Sequence, residues 1–317
     1  MMIERILITG AAGFIGSNLV DTILKNGQTV LGIDNFDPFY DRRIKEKNIL
    51  SALQQSNFHF KEGDIRDNNF LNKCFEEFSP GLVVHLAARA GVRPSILNPT
   101  EYFDVNVMGT LNLLEVMKKH EVRNMIFASS SSVYGNNTKI PFSESDIVDF
   151  PISPYAASKK AGELLCHTYY YLYQFNIFCL RFFTVYGSRQ RPDLVIHKFV
   201  KSIMNNESIL IYGDGSTRRD YTHIDDILLG IMGAIENLKG FDIFNLGESN
   251  TISLHGLVSL IEKYTKRNAL LNYLPLEEGD VLVTYADIQK AKDRLIYKPV
   301  VNIESGLKRY VQEFPEG

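Results

Sequence analysis

No apolar stretch in this sequence approaches the about 18 residues needed to cross a bilayer, which excludes a helical membrane protein. The N-terminus also lacks the layout of a secretory signal, because Ile3–Ile8 is broken by Glu4 and Arg5 and runs straight into a glycine turn. Only three cysteines are present, Cys74, Cys166 and Cys179, with no CxxC spacing and no even number to pair. Reduced thiols in a cytoplasmic protein are the expectation. There is no large block of one charge, and the formal net charge is −3, so nucleic acid is not an expected partner. The cluster Arg42, Arg43, Lys45 and Lys47 is interrupted by Asp41 and Glu46 and reads as a solvated helix face. His167, His197 and His223 show no metal-ligand spacing, and no metal site is expected. Internal repeats and low-complexity segments are absent as well.

At 317 residues the chain has material for about two folding units. Its first half alternates short apolar runs with helical patterns. Ile6–Thr9, Thr29–Ile33, Leu82–Leu86, Met125–Ala128 and Ile177–Arg181 read as strands, and Phe14–Lys25, Glu101–Lys119 and Pro154–Phe175 as helices. Strands separated by helices of ten or more residues require right-handed crossovers and a parallel sheet covered on both faces. The expected fold is therefore α/β, a Rossmann-type doubly wound parallel sheet with a smaller C-terminal substrate-binding lobe. Residues 1–180 form the dinucleotide-binding domain, residues 181–317 mainly the lobe, and a strand near 241–247 returns to the sheet.

Gly10-Ala11-Ala12-Gly13-Phe14-Ile15-Gly16 follows a strand and opens a helix, the context in which such a turn cradles a pyrophosphate at a helix N-terminus. Asp34 lies 18 residues beyond Gly16, at the end of the second strand. There a carboxylate accepts both ribose hydroxyls and repels a 2′-phosphate, so NAD is expected rather than NADP. Phe58 and Phe60 mark a further strand leading to Gly63, and Asp64-Ile65 after it suits the adenine edge.

Ser153-Pro154-Tyr155 begins a helix with an N-cap serine and an N1 proline. Tyr155 and Lys159, four apart, share one face of it. An ammonium near the phenol would lower its pKa toward neutrality and make it a general base. The serines Ser130, Ser131 and Ser132 end the preceding strand and offer hydroxyls to a substrate oxygen whose proton Tyr155 would take.

With those motifs in view, the sequence resembles the extended short-chain dehydrogenase/reductases of the nucleotide-sugar epimerase and dehydratase branch. The resemblance rests on the glycine turn, Asp34-Asn35, Gly63-Asp64, His85-Leu86-Ala87-Ala88, Asn106–Thr110, Ser130–Gly135, Tyr155–Lys159 and Arg219-Asp220-Tyr221. It implies a tightly held NAD contacted also by Asn35, Leu86, Ala87, Ala88, Arg89, Asn106 and Phe182, and a homodimer built on helices near 100–119 and 155–175. It also implies a UDP-sugar held by Arg93, Ser132, Thr184, Arg191, Tyr212, Arg219 and Asp280. Dehydratases of this branch carry an Asp-Glu pair where this chain has Ser131 and Ser132, which disfavours dehydration. Hexose epimerases usually have Asn where Thr184 stands. Ser188–Asp193, Ala90–Ser95 and Asp34–Asp41 resemble uronate 4-epimerases, although those usually show a Tyr pair where Phe39-Tyr40 stands. The expected activity is C4 epimerisation of UDP-glucuronate to UDP-galacturonate. Alternatives are a neutral UDP-hexose 4-epimerase, a UDP-glucuronate decarboxylase, and a non-catalytic sensor on the same scaffold.

Overall fold

A computed structural model of the protein describes residues 3–276, 279 and 281–314. Six strands follow in chain order: β1 (Arg5–Thr9), β2 (Thr29–Asp34), β3 (Phe58–Glu62), β4 (Leu82–His85), β5 (Asn124–Ser130) and β6 (Asn176–Phe182). They pair in parallel in the order β6, β5, β4, β1, β2, β3, and Phe241–Leu246 adds a seventh strand beside β6. The chain reverses direction across the sheet between β1 and β4. In doubly wound sheets the crevice at the carboxyl ends of such a strand pair is where ligands bind.

Alternation along each strand splits the core in two. Ile6, Ile8, Val84 and Leu180 face one helical layer, which includes α1 (Phe14–Lys25), while Leu7, Val83, Met125 and Ile177 face the other. All three cysteines are buried and unpaired, packed in the second layer. A separate apolar core built on Ile196, Phe199, Ile211, Leu257 and Leu307 forms the C-terminal lobe. Among the described residues no helix is long and apolar enough to cross a membrane.

The stretch 101–119, which the periodicity reads as one helix, is divided. An α-helical turn at Pro99–Phe103 passes through a π-type turn at Asp104–Met108 into the helix Gly109–Lys119. Such an insertion turns side chains out of helical register and recurs at functional sites; here it buries Asn106 against the loop after β4.

Candidate active site

The glycine turn sits at the carboxyl end of β1, and its geometry leaves no room for larger residues. Gly10 has φ +71°, and a Cβ on it would meet the Ala87 backbone at 2.8 Å. On Gly16 a Cβ would lie 2.1 Å from the Gly10 carbonyl oxygen. The turn thus forms a cradle for a group approaching the N-terminus of α1, where backbone amides favour an anion. Gly10, Gly13, Phe14, Ile15, Gly16, Asp34, Asn35, Asp64, Ile65, Leu86, Ala87, Ala88, Arg89, Tyr155, Lys159 and Phe182 all line one pocket, together with Arg191. Its lining, the glycine cradle with Asp34 and Asp64 beside it, suits a dinucleotide lying across the switch point.

Asp34 is buried at the end of β2 and accepts from the amides of Ala12 (3.1 Å) and Phe36 (2.9 Å). Its counterion is Lys45, 3.4 Å away and equally buried. This corrects the solvated-face reading of the 42–47 cluster: the helix Arg42–Ile49 turns Lys45 inward over the Tyr40 ring while Arg42 faces Glu46 and Glu62 outside. Asp64 is tied to Arg66 and to Asn35 Nδ2 (2.8 Å), and the Arg66 hydrogen bonds hold its carboxyl down at about 2.

Asn106 does not line the pocket. Its amide accepts from the Arg89 N–H (2.8 Å) and donates to the Arg89 carbonyl (3.0 Å) and to Ser158 Oγ (2.9 Å). Ser158 donates in turn to the Tyr155 carbonyl at 2.8 Å. Behind it, Thr110 donates to the Asn106 carbonyl (2.6 Å), so it accepts from His85 Nε2–H (3.0 Å). Thr9 accepts from the Ala87 amide and donates to His85 Nδ1 at 2.7 Å. That order fixes the tautomer. Burial, helped by the Lys159 charge, depresses His85 to about 3. A neutral, fully bonded chain therefore ties β1 and β4 to the helix Pro154–Tyr173.

That helix starts as its sequence directs, with Ser153 Oγ capping the Ala156 amide at 3.1 Å and Pro154 at its first turn. Tyr155 stands half-buried, edge-on to Tyr102. Burial raises its phenol, while a hydrogen bond with Ser130 and the charge of Arg191 pull it back down. The cation expected to act on Tyr155 from one turn along is differently engaged: Lys159 donates to the Ala128 carbonyl at 2.8 Å, and burial lowers it to about 8. Ser130 Oγ also bonds Ser132 Oγ (3.0 Å) and caps the Ser132 amide, whereas Ser131 enters a tight 3-10 turn. Two turns along the helix, Glu163 forms a buried, two-pronged ion pair with Arg181 of β6 (2.8 and 2.9 Å) and accepts from Ser129 (2.6 Å). Sequence reasoning passed over Lys45, Glu163 and Arg181. The signal for the last was a charge in the otherwise apolar strand Ile177–Phe182.

Of the described residues expected to meet the sugar nucleotide, Arg191 lines this pocket and the others lie outside its lining. Arg93, on the helix Val92–Leu97, stacks on the ring of Tyr212 at 3.9 Å, joining sheet domain to lobe. Thr184 follows β6 on a short strand that pairs with Tyr221–His223 and donates its amide to the Asp220 carbonyl. Arg219 hydrogen-bonds the carbonyls of Arg218 and Leu282. Asp220, fully buried, gathers the amides of Glu248, Ser249 and Ala286 and the Thr222 hydroxyl, and burial raises its carboxyl to about 6. Arg191 reaches the pocket wall beside Tyr155, but its guanidinium fork is already gripped by Asp193 at 2.8 and 2.7 Å. Asp280 lies outside the described residues. No cluster among the described residues has the composition to hold a metal.

A family model described as GDP-mannose 4,6 dehydratase matches residues 7–310. A UDP-glucuronate 4-epimerase of Thermodesulfobacterium geofontis is 45% identical, with 96% of this chain and 94% of that protein aligned. The crystal structure of UDP-glucuronic acid 4-epimerase from Bacillus cereus with UDP-glucuronic acid and NAD superposes with TM-score 0.92 at 38% identity, covering 97% of this chain and 98% of that one. UDP-glucose 4-epimerase of Thermotoga maritima, solved with UDP-glucose, gives TM-score 0.90 at 34% identity over 97% of both chains. With its glycine cradle, its Tyr155–Lys159 helix and matches spanning nearly its full length, the chain belongs to the extended short-chain dehydrogenase/reductase family that this model describes.

Proposed function

We propose that the protein is an NAD-dependent UDP-glucuronate 4-epimerase, an isomerase that interconverts UDP-glucuronate and UDP-galacturonate through a 4-keto sugar. The observation that carries this reading is one pocket lined by the glycine cradle, Tyr155, Lys159 and Arg191, with Ser130 hydrogen-bonded to Tyr155. The relatives and structures that carry UDP-glucuronate support the acidic substrate.

NAD, when bound, supplies an acceptor that takes the C4 hydrogen with its electron pair and gives it back. The chain does the rest. Tyr155 accepts the O4 proton, for which its phenol must fall from the raised value of the free pocket; Ser130 and Arg191 already act in that direction. Ser130 orients the same oxygen, with Ser131 and Ser132 in the adjoining turn. Lys159, held on the Ala128 carbonyl, faces the cofactor side. Arg93, Tyr212, Arg219 and Asp280 are assigned to the nucleotide and its diphosphate. Ser132, Thr184 and Arg191 are assigned to the sugar carboxylate. In the 4-ketone that group is β to the carbonyl and leaves as CO₂ when its bond aligns with the π system, so it must be held out of alignment while the ring turns over.

The assembly we assign is a cytoplasmic homodimer. Supporting it are Phe103, Met108, Leu164, Tyr171 and Leu172, large apolar residues exposed on the segments 99–119 and 154–173. The functional test is to incubate the purified protein separately with UDP-glucuronate and UDP-glucose and resolve the products. UDP-galacturonate without added NAD is the expected outcome. UDP-pentose as the main product would mean a decarboxylase, and equal kcat/KM on both sugars a hexose epimerase.

A further inference from the structure

The guanidinium of Arg191 is fixed on two sides. Along its Nε/Nη2 edge it makes a two-pronged ion pair with Asp193, at 2.8 and 2.7 Å. Its plane stands over the Phe39 ring, 5.3 Å from the centroid. The loop carrying both charges is itself stiff: Gln190 bonds back to the Gly187 carbonyl, Leu194 to the Arg191 carbonyl, and Pro192 separates the two partners. Phe39 is braced from beyond by Arg89, whose guanidinium also lies 5.3 Å from that ring and is anchored on Asp37 and Glu101. Both members of the pair are mostly buried, with side-chain exposures of 19% for Arg191 and 32% for Asp193.

Two consequences follow. With Asp193 on the Nε/Nη2 edge, only the Nη1 end of Arg191 is left to meet a substrate carboxylate, in a fixed direction. The pair is also close to neutral, so it exerts little pull on an anion at a distance. We propose that Asp193 is a positioning residue for acid recognition: by holding the Nε/Nη2 edge of Arg191 it aims the Nη1 donors at the sugar carboxylate, so the pocket selects its substrate by direction of hydrogen bonding. The inference rests on the uronate reading and deepens it.

The test compares kcat/KM for UDP-glucuronate and UDP-glucose in wild-type protein and in Asp193→Asn, which keeps the size and removes the charge. The preference for the acid is expected to fall about tenfold, mostly through a higher KM for UDP-glucuronate, as suits a misaligned hydrogen bond to a charged group. Phe39→Leu leaves Asp193 in place and loosens only the face packing; it is expected to lower the same ratio by a smaller factor, and it carries the test if Asp193→Asn does not fold. Equal losses on both sugars would make Asp193 merely structural. A rise in kcat/KM for the acid would make it a competitor of the substrate. Either result overturns the proposal. Wild-type protein that does not turn over UDP-glucuronate at all would instead remove the reading beneath it.

Discussion

Around the glycine turn the working groups come from neighbouring strand ends, and each is held by partners a few ångströms away in a sheet with both faces covered. The residues assigned to the sugar nucleotide are spread more widely: Arg93 stacks on Tyr212, and the Thr184 amide bonds the Asp220 carbonyl within the C-terminal part of the chain. The first region is tied together by these bonds; the second draws its side chains from separate stretches of the chain. Chemistry should therefore depend most on the first, and substrate choice on the second.

The sharpest break of that division is Tyr155→Phe. Removing the base should lower kcat by the about 10²–10⁴-fold typical of lost general acid–base catalysis, while UDP-sugar affinity changes little. A variant with near-normal turnover would refute the assignment. Ser130→Ala should cost less, because Ser132 Oγ lies 3.0 Å away and can hold the same oxygen.

Stability should report the division next. Arg181→Met leaves the buried Glu163 with only Lys160, 3.9 Å away, and the Ser129 hydroxyl, and breaking one side of a buried pair costs up to about 3–5 kcal/mol. The loss is expected in urea midpoints, and Glu163→Gln combined with Arg181→Met should recover much of it. A single variant as stable as wild type would show that water reaches the pair.

Two buried groups should respond to pH in opposite senses. His85 is depressed from its ordinary 6.5 to about 3. As pH falls below 6.5 the unfolded chain takes a proton that the fold refuses, so stability drops on the acid side. Glu248, just past the seventh sheet strand Phe241–Leu246, is raised from 4.5 to about 7 by burial and by the charges of Asp220 and Asp226. Between those values the fold holds a proton that the unfolded chain has lost, so this contribution is present below 4.5 and is lost as pH rises to 7. Melting curves of Glu248→Gln should lose the decline between pH 4.5 and 7, and those of His85→Gln the decline below 6.5. Unchanged slopes in both would place the pH dependence elsewhere.

What could be read from the sequence follows the same line. The sheet, the glycine turn, Asp34 and the Tyr155 helix are set by local patterns: strand-length apolar runs, a turn that only glycine can make, and a capped helix start. Lys45 escaped because a mixed-charge helix looks solvated until its packing against β2 is known. The π-type turn at Asp104–Met108 escaped because periodicity sees one continuous helix, and only the demand of the Arg89 backbone on Asn106 unwinds it. That Asp193 takes the fork of Arg191 depends on the turn of a loop, which no periodicity encodes.

The smallest expected effect, and the most specific to the lobe, is that of Thr184→Val. The substitution keeps the shape and removes one hydroxyl, while the strand that carries it stays pinned through the Thr184 amide on the Asp220 carbonyl at 3.1 Å. If the hydroxyl helps hold the sugar carboxylate, its loss is worth about one hydrogen bond to a charged group, a few-fold to about tenfold in kcat/KM for UDP-glucuronate. UDP-glucose, with no carboxylate to hold, should be affected less. The product mixture is the more telling measurement. A carboxylate freed to swing toward alignment with the 4-ketone loses CO₂, so the fraction of UDP-pentose should rise as epimerisation falls. A slower enzyme with an unchanged product ratio would mean that Thr184 shapes the strand end and takes no part in holding the carboxylate, leaving Ser132 and the aimed end of Arg191 to do so.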